Sequence, residues 1–148
     1  MVFVSLWPSW NKSGTNPQGS VNVLIKSHNQ PDGSLDPNNI YTYSVTSNAI
    51  SELTLRVDPT TGTPTASFGG KVTVKWEKAD GTVQTIDSGN MLQMTLNDYN
   101  KPDMVAITVQ KSSAIGGGLW YSSGWGPGSN GVPTTIQKPI VGNVTINQ

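Results

Sequence analysis

The sequence predicts an all-β protein: a single-domain antiparallel β-sandwich, immunoglobulin-like or jelly-roll, with about eight to ten strands and almost no helix. The first observation is that apolar and polar residues alternate at the period of a half-buried strand in seven segments. The second is that Gly, Asn, Asp or Pro, the residues that turns require, separate these segments. The third is that no stretch of about ten residues carries an apolar stripe at helical spacing without a helix breaker. A closed barrel is the alternative architecture.

The clearest strand is "KVTVKWEK", residues 71–78, in which Val72, Val74 and Trp76 alternate with polar residues. The same period occurs in six other segments, namely residues 20–27, 40–46, 51–58, 91–96, 104–110 and 142–147. The segments follow one another with only turns between them, and the apolar residues of each segment fall on one face of the strand. We therefore expect antiparallel pairing with one buried face.

Turn residues mark the boundaries between these strands. Asp80-Gly81 in "EKADGTV" favours positive φ between two strands and predicts a hairpin over residues 71–86. Four other segments carry similar turn residues, and we expect turns at "QPDG", "DPTTGTP", "DSGN" and "YNKPD".

The length and composition restrict the class of protein. The 148 residues predict one domain, 1–148, with a single core. Charged residues are 12% of the chain, nine basic and nine acidic, so no net field attracts nucleic acid or an anionic membrane. The first apolar run ends at Pro8, which is too early for a membrane span or a signal peptide. Nucleic-acid partners, a membrane span and a visible signal peptide are therefore not expected.

The compartment is predicted only broadly. The chain has no cysteine, which excludes disulfides, zinc-thiolate sites and thiol nucleophiles. Because charged residues are few, solubility depends on Ser, Thr, Asn, Gln and Gly, a composition common in secreted and viral-coat β proteins. We expect an extracellular, surface-associated or virion-associated protein.

An aromatic segment begins the chain. Residues 1–19 contain Trp7 and Trp10 on either side of Pro8, followed by polar residues. Two tryptophans are seldom left unpacked, so this segment is expected to lie across the domain or to be swapped onto a neighbouring subunit.

Catalytic motifs are missing from the sequence, and we expect no enzyme activity. His28 is the only histidine, and no G-x-S-x-G serine is present. The glycines of "GGKVTV" at Gly69 match no phosphate-binding motif, and no helix follows them to hold a phosphate. Paired carboxylates of the glycosidase type remain conceivable, with Glu52 and Glu77 as the only glutamates. Each stands beside basic residues on the polar side of a strand, so a solvated charge pair is the favoured interpretation.

Two loops carry the oxygen ligands that calcium prefers. The first, "PDGSLDPNN", spans residues 31–39. The second, "NDYNKPD", contains Asp98, Asn100 and Asp103, and its "NDYN" is similar to the Asp/Asn-rich loop of calcium-dependent bacterial lectins built on small β-sandwiches. That resemblance implies a calcium site at these three residues, whereas an ordinary turn explains the same composition. No other cofactor is expected.

The segment "GGGLWYSSGWGPGSNG", residues 116–131, places aromatic residues in a glycine-rich loop. Trp120, Tyr121, Trp125 and Asn130 are the predicted ligand-binding residues, because exposed aromatics form platforms for a sugar ring or a protein partner. Neighbouring strand residues face opposite sides, so at most one of Trp120 and Tyr121 is expected in the core. The alternative is a structural plug at the end of the domain.

Two function classes agree with these features. The first is a non-catalytic, lectin-like module that holds a glycan or a partner surface through its loop aromatics. The second is a self-assembling structural subunit of a surface layer, fibre, capsid or toxin complex, in which the same aromatics form subunit contacts and the protein is a homo-oligomer. The fold class alone does not distinguish them.

Overall fold

The computed structural model describes residues 2–6, 9–10, 17–47, 49–98, 103–123, 125–127, 133–135 and 138–139, with side chains over residues 17–47, 49–98 and 103–123. The only helical element among them is a three-residue 3-10 turn, Ser113–Ile115. The prediction of an all-β chain with almost no helix is therefore confirmed. The strands in chain order are β1 (Val2–Leu6), β2 (Ser9–Trp10), β3 (Pro17–Gln18), β4 (Val21–Ser27), β5 (Tyr41–Ser47), β6 (Glu52–Val57), β7 (Pro64–Glu77), β8 (Val83–Asn97), β9 (Met104–Gln110), β10 (Leu119–Ser122), β11 (Trp125–Pro127), β12 (Pro133–Thr135) and β13 (Lys138–Pro139).

One antiparallel sheet contains most of these strands. Seven strands follow one another in the order β1-β4-β5-β7-β8-β9-β10. In addition, β6 pairs with β7 and β13 pairs with β9. Two short antiparallel pairs, β2-β3 and β11-β12, lie outside this sheet. The predicted antiparallel pairing is confirmed.

The predicted sandwich of two separate sheets is not confirmed, because β7 and β8 carry hydrogen bonding without a break from one half of the sheet to the other. They are 14 and 15 residues long and pair along most of their length. The first half of β7 pairs with β6 and its second half pairs with β5. The described strands of the main sheet therefore curl as one layer.

The hairpin predicted over residues 71–86 is confirmed. Glu77 and Val83 are partners in the β7–β8 ladder, and the turn between them holds two backbone hydrogen bonds. Gly81 has φ of 84°, which a glycine adopts without steric strain. The Asp80 carboxylate accepts hydrogen bonds from the Thr82 backbone N–H at 2.8 Å and from its hydroxyl at 2.6 Å, which fixes the turn.

The turn predicted at "DSGN" is wrong, because strand β8 runs through these residues. Asp87 pairs with Val74 and Asn90 pairs with Val72, and the register shifts once between these pairs and again just beyond Asp87. A β-bulge takes up an extra residue and bends the strand without ending it. The turn-forming composition of this segment therefore marks a bend inside a long strand.

The core lies on the inner face of the curl. Its members are the inward residues of the central strands, namely Val21, Val23, Ile25, Tyr43, Val45, Ile50, Leu53, Phe68, Val72, Val74, Leu92, Met94, Leu96, Val105, Ile107 and Val109. The Tyr43 ring on β5 and the Trp120 ring on β10 meet at 5.1 Å between centroids. Because β7, β8 and β9 separate these two strands in the sheet order, the contact requires a strongly curled sheet.

The connection from β5 to β6 crosses directly over the backbone of β7. The Ser51 backbone N–H donates to the Gly69 carbonyl at 2.9 Å. A Cβ at Gly70 would lie 3.0 Å from the Ala49 carbonyl oxygen. Only glycine allows so close an approach of two backbones, so Gly70 permits β5 and β6 to follow one another along the same edge of β7.

The beginning of the chain lies at one edge of the sheet. Strand β1 pairs antiparallel with β4, from Val2 opposite Ile25 to Leu6 opposite Val21. Strand β2 pairs with β3. Trp7 lies outside the described residues, as does the side chain of Trp10, so their predicted packing or swapping stays a prediction, together with the single-domain assignment of 1–148.

Candidate functional site

Three connections gather at one end of the sheet, which we call the loop end. They are the β4–β5 loop (28–40), the β7–β8 turn (78–82) and the β9–β10 loop (111–118). Thr42, near the start of β5, pairs with Glu77 at the end of β7, which places the first two connections side by side. The contact between Tyr43 and Trp120 brings the end of the third connection to the same region.

The β4–β5 loop is held in one conformation by its own hydrogen bonds. His28 Nδ1 lies 2.9 Å from the Asn39 carbonyl oxygen, and because a carbonyl only accepts, this nitrogen carries the proton. The Asp36 backbone N–H donates to the His28 carbonyl at 2.8 Å. The Asp32 carboxylate accepts from the Ser34 N–H and hydroxyl at 2.8 and 2.7 Å. The two hydrogen bonds of His28 join the beginning of the loop to its end. The two hydrogen bonds of Asp32 fix the tip of the loop.

A carboxylate in this loop is joined to the sheet. Asp36 Oδ2 accepts hydrogen bonds from the Asn39 side-chain amide and the Tyr41 hydroxyl, both at 2.9 Å. Its Oδ1 accepts from the Asn38 backbone N–H at 3.1 Å. The hydrogen bonds from Asn39 and Tyr41 hold the pKa of Asp36 below its usual value. The bond between Asp36 and Tyr41 also raises the pKa of Tyr41. Asp36 is thus an oriented anionic acceptor at the surface.

The ring of Tyr41 contacts a partly buried tryptophan. Trp76 and Tyr41 lie 5.9 Å apart between centroids at an interplanar angle of 51°. The Lys78 ammonium lies 5.0 Å from the Trp76 ring centroid, within range of a cation–π interaction. These residues place an aromatic pair, a cation and the oriented carboxylate of Asp36 together. From its sequence Trp76 was predicted only as a strand residue, because its contact with Tyr41 arises from the non-local pairing of β5 with β7.

The predicted binding residues Trp120 and Tyr121 both pack against the core and lie in mutual contact. Their centroids are 6.1 Å apart, and Trp120 meets Tyr43 edge to face at 88°. Both side chains are only partly buried and neither belongs to the buried core, so the expectation that at most one of them does agrees with the structure. Both contact the core because the β9–β10 register shifts between Leu119 and Tyr121, and this bulge interrupts the alternation that would place them on opposite sides.

Little open space remains among these rings. The crevice beside Tyr43, Trp120 and Tyr121 has a volume of only about 10 Å³. The Tyr43 hydroxyl donates to the Asn29 carbonyl at 2.6 Å, and burial raises the pKa of this phenol. A sugar ring does not fit into such a crevice, and Trp120 and Tyr121 are themselves only partly exposed.

The glycine-rich β9–β10 loop is anchored by a buried carboxylate. Asp87 Oδ2 accepts from the Ser112 backbone N–H at 2.8 Å, and Oδ1 accepts from the Ser112 hydroxyl at 2.6 Å and from the Ser88 N–H at 2.9 Å. Burial opposes the ionised form, but these hydrogen bonds outweigh it and lower the pKa of Asp87. Beside it, the fully buried Asn90 donates to the Gln110 carbonyl at 3.0 Å.

Exposed apolar residues concentrate at the loop end. Of the seven large hydrophobic residues exposed in the described part of the chain, five lie in or directly beside the three connections, whereas Val57 and Met91 belong to strands β6 and β8. The five are Leu35 (69% exposed), Ile40 (65%), Val83 (57%), Ile115 (48%) and Leu119 (47%). Single exposed apolar residues need no explanation, but a group of them at one end indicates a contact surface.

The predicted calcium residues belong to the opposite end of β9. Asp98 and Asp103 flank the β8–β9 connection, and Asp103 is only 2% exposed. Asn100 lies outside the described residues. Strand β9 has seven residues, so this connection is on the order of 20 Å along the strand from Trp120. Among the residues that the structure covers, no group of three or more His, Cys, Asp or Glu is placed to hold a metal ion. The calcium site stays a prediction.

Of the other two predicted ligand-binding residues, Trp125 and Asn130, the structure describes only the backbone of Trp125. The backbone of Trp125 belongs to β11 and pairs with Thr135, but its side chain is outside the described residues. Asn130 also lies outside them. The proposed roles of Trp125 and Asn130 in ligand binding therefore stay predictions.

Comparison with protein families, with curated proteins and with solved structures finds no match to this chain. Within the described ranges there is no helix with the length and apolar character needed to cross a lipid bilayer.

Proposed function

We propose that this protein is a non-catalytic, lectin-like binding module that holds a glycan at its loop end. The observation that carries the proposal is the group formed by Tyr41, Trp76 and Asp36: two partly exposed rings beside a carboxylate with a fixed orientation. A glycan has apolar C–H faces and hydroxyl edges, so its recognition uses an aromatic surface and nearby acceptors together.

The parts of this group have separate roles in the proposal. Trp76 and Tyr41 present apolar area to a sugar ring. Asp36 accepts a hydrogen bond from a sugar hydroxyl, while Asn38 and Asn39 supply further polar groups in the same loop. Because internal hydrogen bonds already fix the loop, little conformational entropy is lost when a ligand binds.

A catalytic role is disfavoured by the positions of the two glutamates. Glu52 lies opposite Gly69 and Glu77 lies opposite Thr42, on different halves of β7. Gly69 and Glu77 are eight residues apart on that strand, on the order of 25 Å along it. Paired carboxylates in glycosidases are separated by about 5 to 10 Å. The proposal therefore assigns neither glutamate to catalysis. For a glycan-binding module of this kind, we propose a location outside the cell or on a cell or virion surface.

The second candidate function is a self-assembling structural subunit. The five exposed apolar residues of the loop end favour this alternative, because burial of such a group stabilises a contact between subunits. In this case the partner is a second copy of the chain, and the aromatic group contributes to the same interface.

A glycan array screened with and without calcium tests the first candidate. We expect binding to a defined set of glycans, lost in Trp76→Ala and weakened in Tyr41→Phe, which keeps the ring and removes the hydroxyl that donates to Asp36. Leu24→Ala, a half-buried apolar change on β4 that lies in none of the three connections, is the matched control. Absence of glycan binding, together with concentration-dependent polymers in sedimentation velocity, would instead support the structural subunit.

A further inference from the structure

A groove on the outer face of the sheet forms a second candidate site. It has a volume of about 500 Å³ and its lining residues come from β5, β7 and β8, namely Thr46, Ser47, Lys71, Val72, Thr73, Lys75 and Gly89. Lys75 precedes Trp76 on β7, and successive strand residues face opposite sides. The groove therefore lies on the face opposite the aromatic group of the loop end.

Two irregular features of the backbone border this groove. On one side, the connection from β5 to β6 leaves the sheet after Ser47, whose hydroxyl donates to the Ala49 carbonyl at 2.7 Å and accepts from its N–H at 3.0 Å. On the other side, the β8 bulge leaves Gly89 unopposed between Val72 and Thr73 in the ladder. The floor is the β7 backbone with Thr73 at its centre, so the depression is built from strands and a tight turn.

The charge of the groove is entirely positive. Lys71 and Lys75 carry two ammonium groups, and no carboxylate is among the lining residues. Within the described chain, neither lysine forms an ion pair with a carboxylate. They stand four residues apart on one side of β7, on the order of 13 Å along the strand, with the Thr73 hydroxyl between them. In a chain with zero formal net charge, this local excess requires an explanation.

We infer that this groove binds an acidic oligosaccharide through two anionic groups, one at Lys71 and one at Lys75, with the hydroxyls of Thr46 and Thr73 as hydrogen-bond donors between them. Ammonium groups and hydroxyls together bind sulfate and carboxylate oxygens through charge-assisted hydrogen bonds. The spacing of the two lysines matches an extended ligand with repeated charges. This inference goes beyond the glycan site of the loop end and does not depend on it.

Titration calorimetry and amide NMR with a heparin-derived tetrasaccharide test the inference at about 0.05 M salt, where exposed charges are weakly screened. We expect binding, with shifts at Thr46, Thr73 and Gly89, and at least about a tenfold loss of affinity in the double variant Lys71→Gln/Lys75→Gln. Lys26→Gln/Arg56→Gln removes the same charge from exposed residues outside the groove and should change affinity less than about threefold. Melting curves of both variants verify folding.

Three comparisons decide the outcome. No binding of the tetrasaccharide by the native chain, or an equal loss of affinity in both double variants, would overturn the inference. The affinity for inorganic sulfate, counted per sulfate group, should be at least about tenfold lower than the affinity for the tetrasaccharide, because a single sulfate contacts one lysine at a time. Equal affinity for inorganic sulfate would overturn the two-point arrangement. Loss of loop-end binding in Trp76→Ala, with tetrasaccharide binding retained, would separate the two sites.

Discussion

The Asp87 carboxylate on β8 and the Ser112 residue of the β9–β10 loop are joined by two hydrogen bonds, of 2.8 Å from the backbone N–H and 2.6 Å from the hydroxyl. Both residues are buried. This pair fixes the beginning of the glycine-rich loop to the bulged part of the long strand. The loop leads directly into β10, which carries Trp120.

Removal of this carboxylate should weaken the fold in a pH-dependent way. The pKa of Asp87 is lowered from its ordinary value of 3.8, so its stabilising contribution is complete above that value and is lost as the pH falls through the lowered pKa. We expect Asp87→Asn to reduce the free energy of unfolding by about 1 to 3 kcal/mol at pH 7 and by less in acid. Denaturant titrations of both proteins from neutral to strongly acidic pH measure this difference. A constant difference between them across that range would contradict the assignment to Asp87.

The two tryptophans of the loop end should respond differently to truncation. Trp120→Ala removes the edge-to-face contact with Tyr43 and should lower the free energy of unfolding by roughly 3 kcal/mol. Trp76→Ala should lower it by only about 1 to 2 kcal/mol, because the Trp76 ring contacts the partly buried Tyr41, whereas Trp120 contacts the fully buried Tyr43. Chemical denaturation of each variant measures the values. Equal losses in the two variants would show that Trp76 is a core residue and would weaken the glycan proposal.

Gly70 should tolerate no side chain. A Cβ there would lie 3.0 Å from the Ala49 carbonyl oxygen, closer than ordinary van der Waals contact, so the connection from β5 to β6 would have to move. We expect Gly70→Ala to destabilise the protein by about 1 to 3 kcal/mol, whereas Ser67→Ala on the outer side of the same strand should have an effect below about 1 kcal/mol. Thermal melting compares the two variants. A melting temperature unchanged in Gly70→Ala would argue against this crossing.

Chelation tests the calcium prediction directly. We expect the melting temperature to be the same in millimolar calcium and in excess chelator, because Asp103 is buried at 2% exposure and has interactions of its own. A calcium ion bound only to the folded chain would raise the melting temperature by mass action. A rise with calcium that is lost in Asp98→Asn would establish the site instead.

Much of the fold could be predicted from local sequence. Alternation predicted the strands around Val23, Val45 and Val74, and Asp80-Gly81 predicted the hairpin turn, because both depend on residues that are neighbours in the chain. The single curled sheet could not be predicted, since the pairing of both β5 and β6 with one strand depends on the close approach at Gly70. Turn composition alone does not distinguish a chain reversal from a bulge.

The candidate site was predicted in part. Trp120 and Tyr121 could be selected from their glycine-rich surroundings, and both lie at the loop end. The contact of Tyr41 with Trp76 could not be predicted, because it arises from the non-local pairing of β5 with β7. The hydrogen bond between Asp36 and Tyr41 could have been predicted from their spacing in the sequence. An Asp in a tight loop just before a strand can reach the first aromatic side chain of that strand.

The long β7–β8 hairpin has a consequence for folding. Its two strands are consecutive in the chain and contribute to both halves of the sheet, so neither half can form its hydrogen bonds fully before this hairpin does. Pairing between consecutive strands closes a short loop and is kinetically favoured over more distant pairing. The amides of residues 72–74 and 92–94, at the centre of the hairpin, should therefore exchange with solvent hydrogen only when the whole chain unfolds.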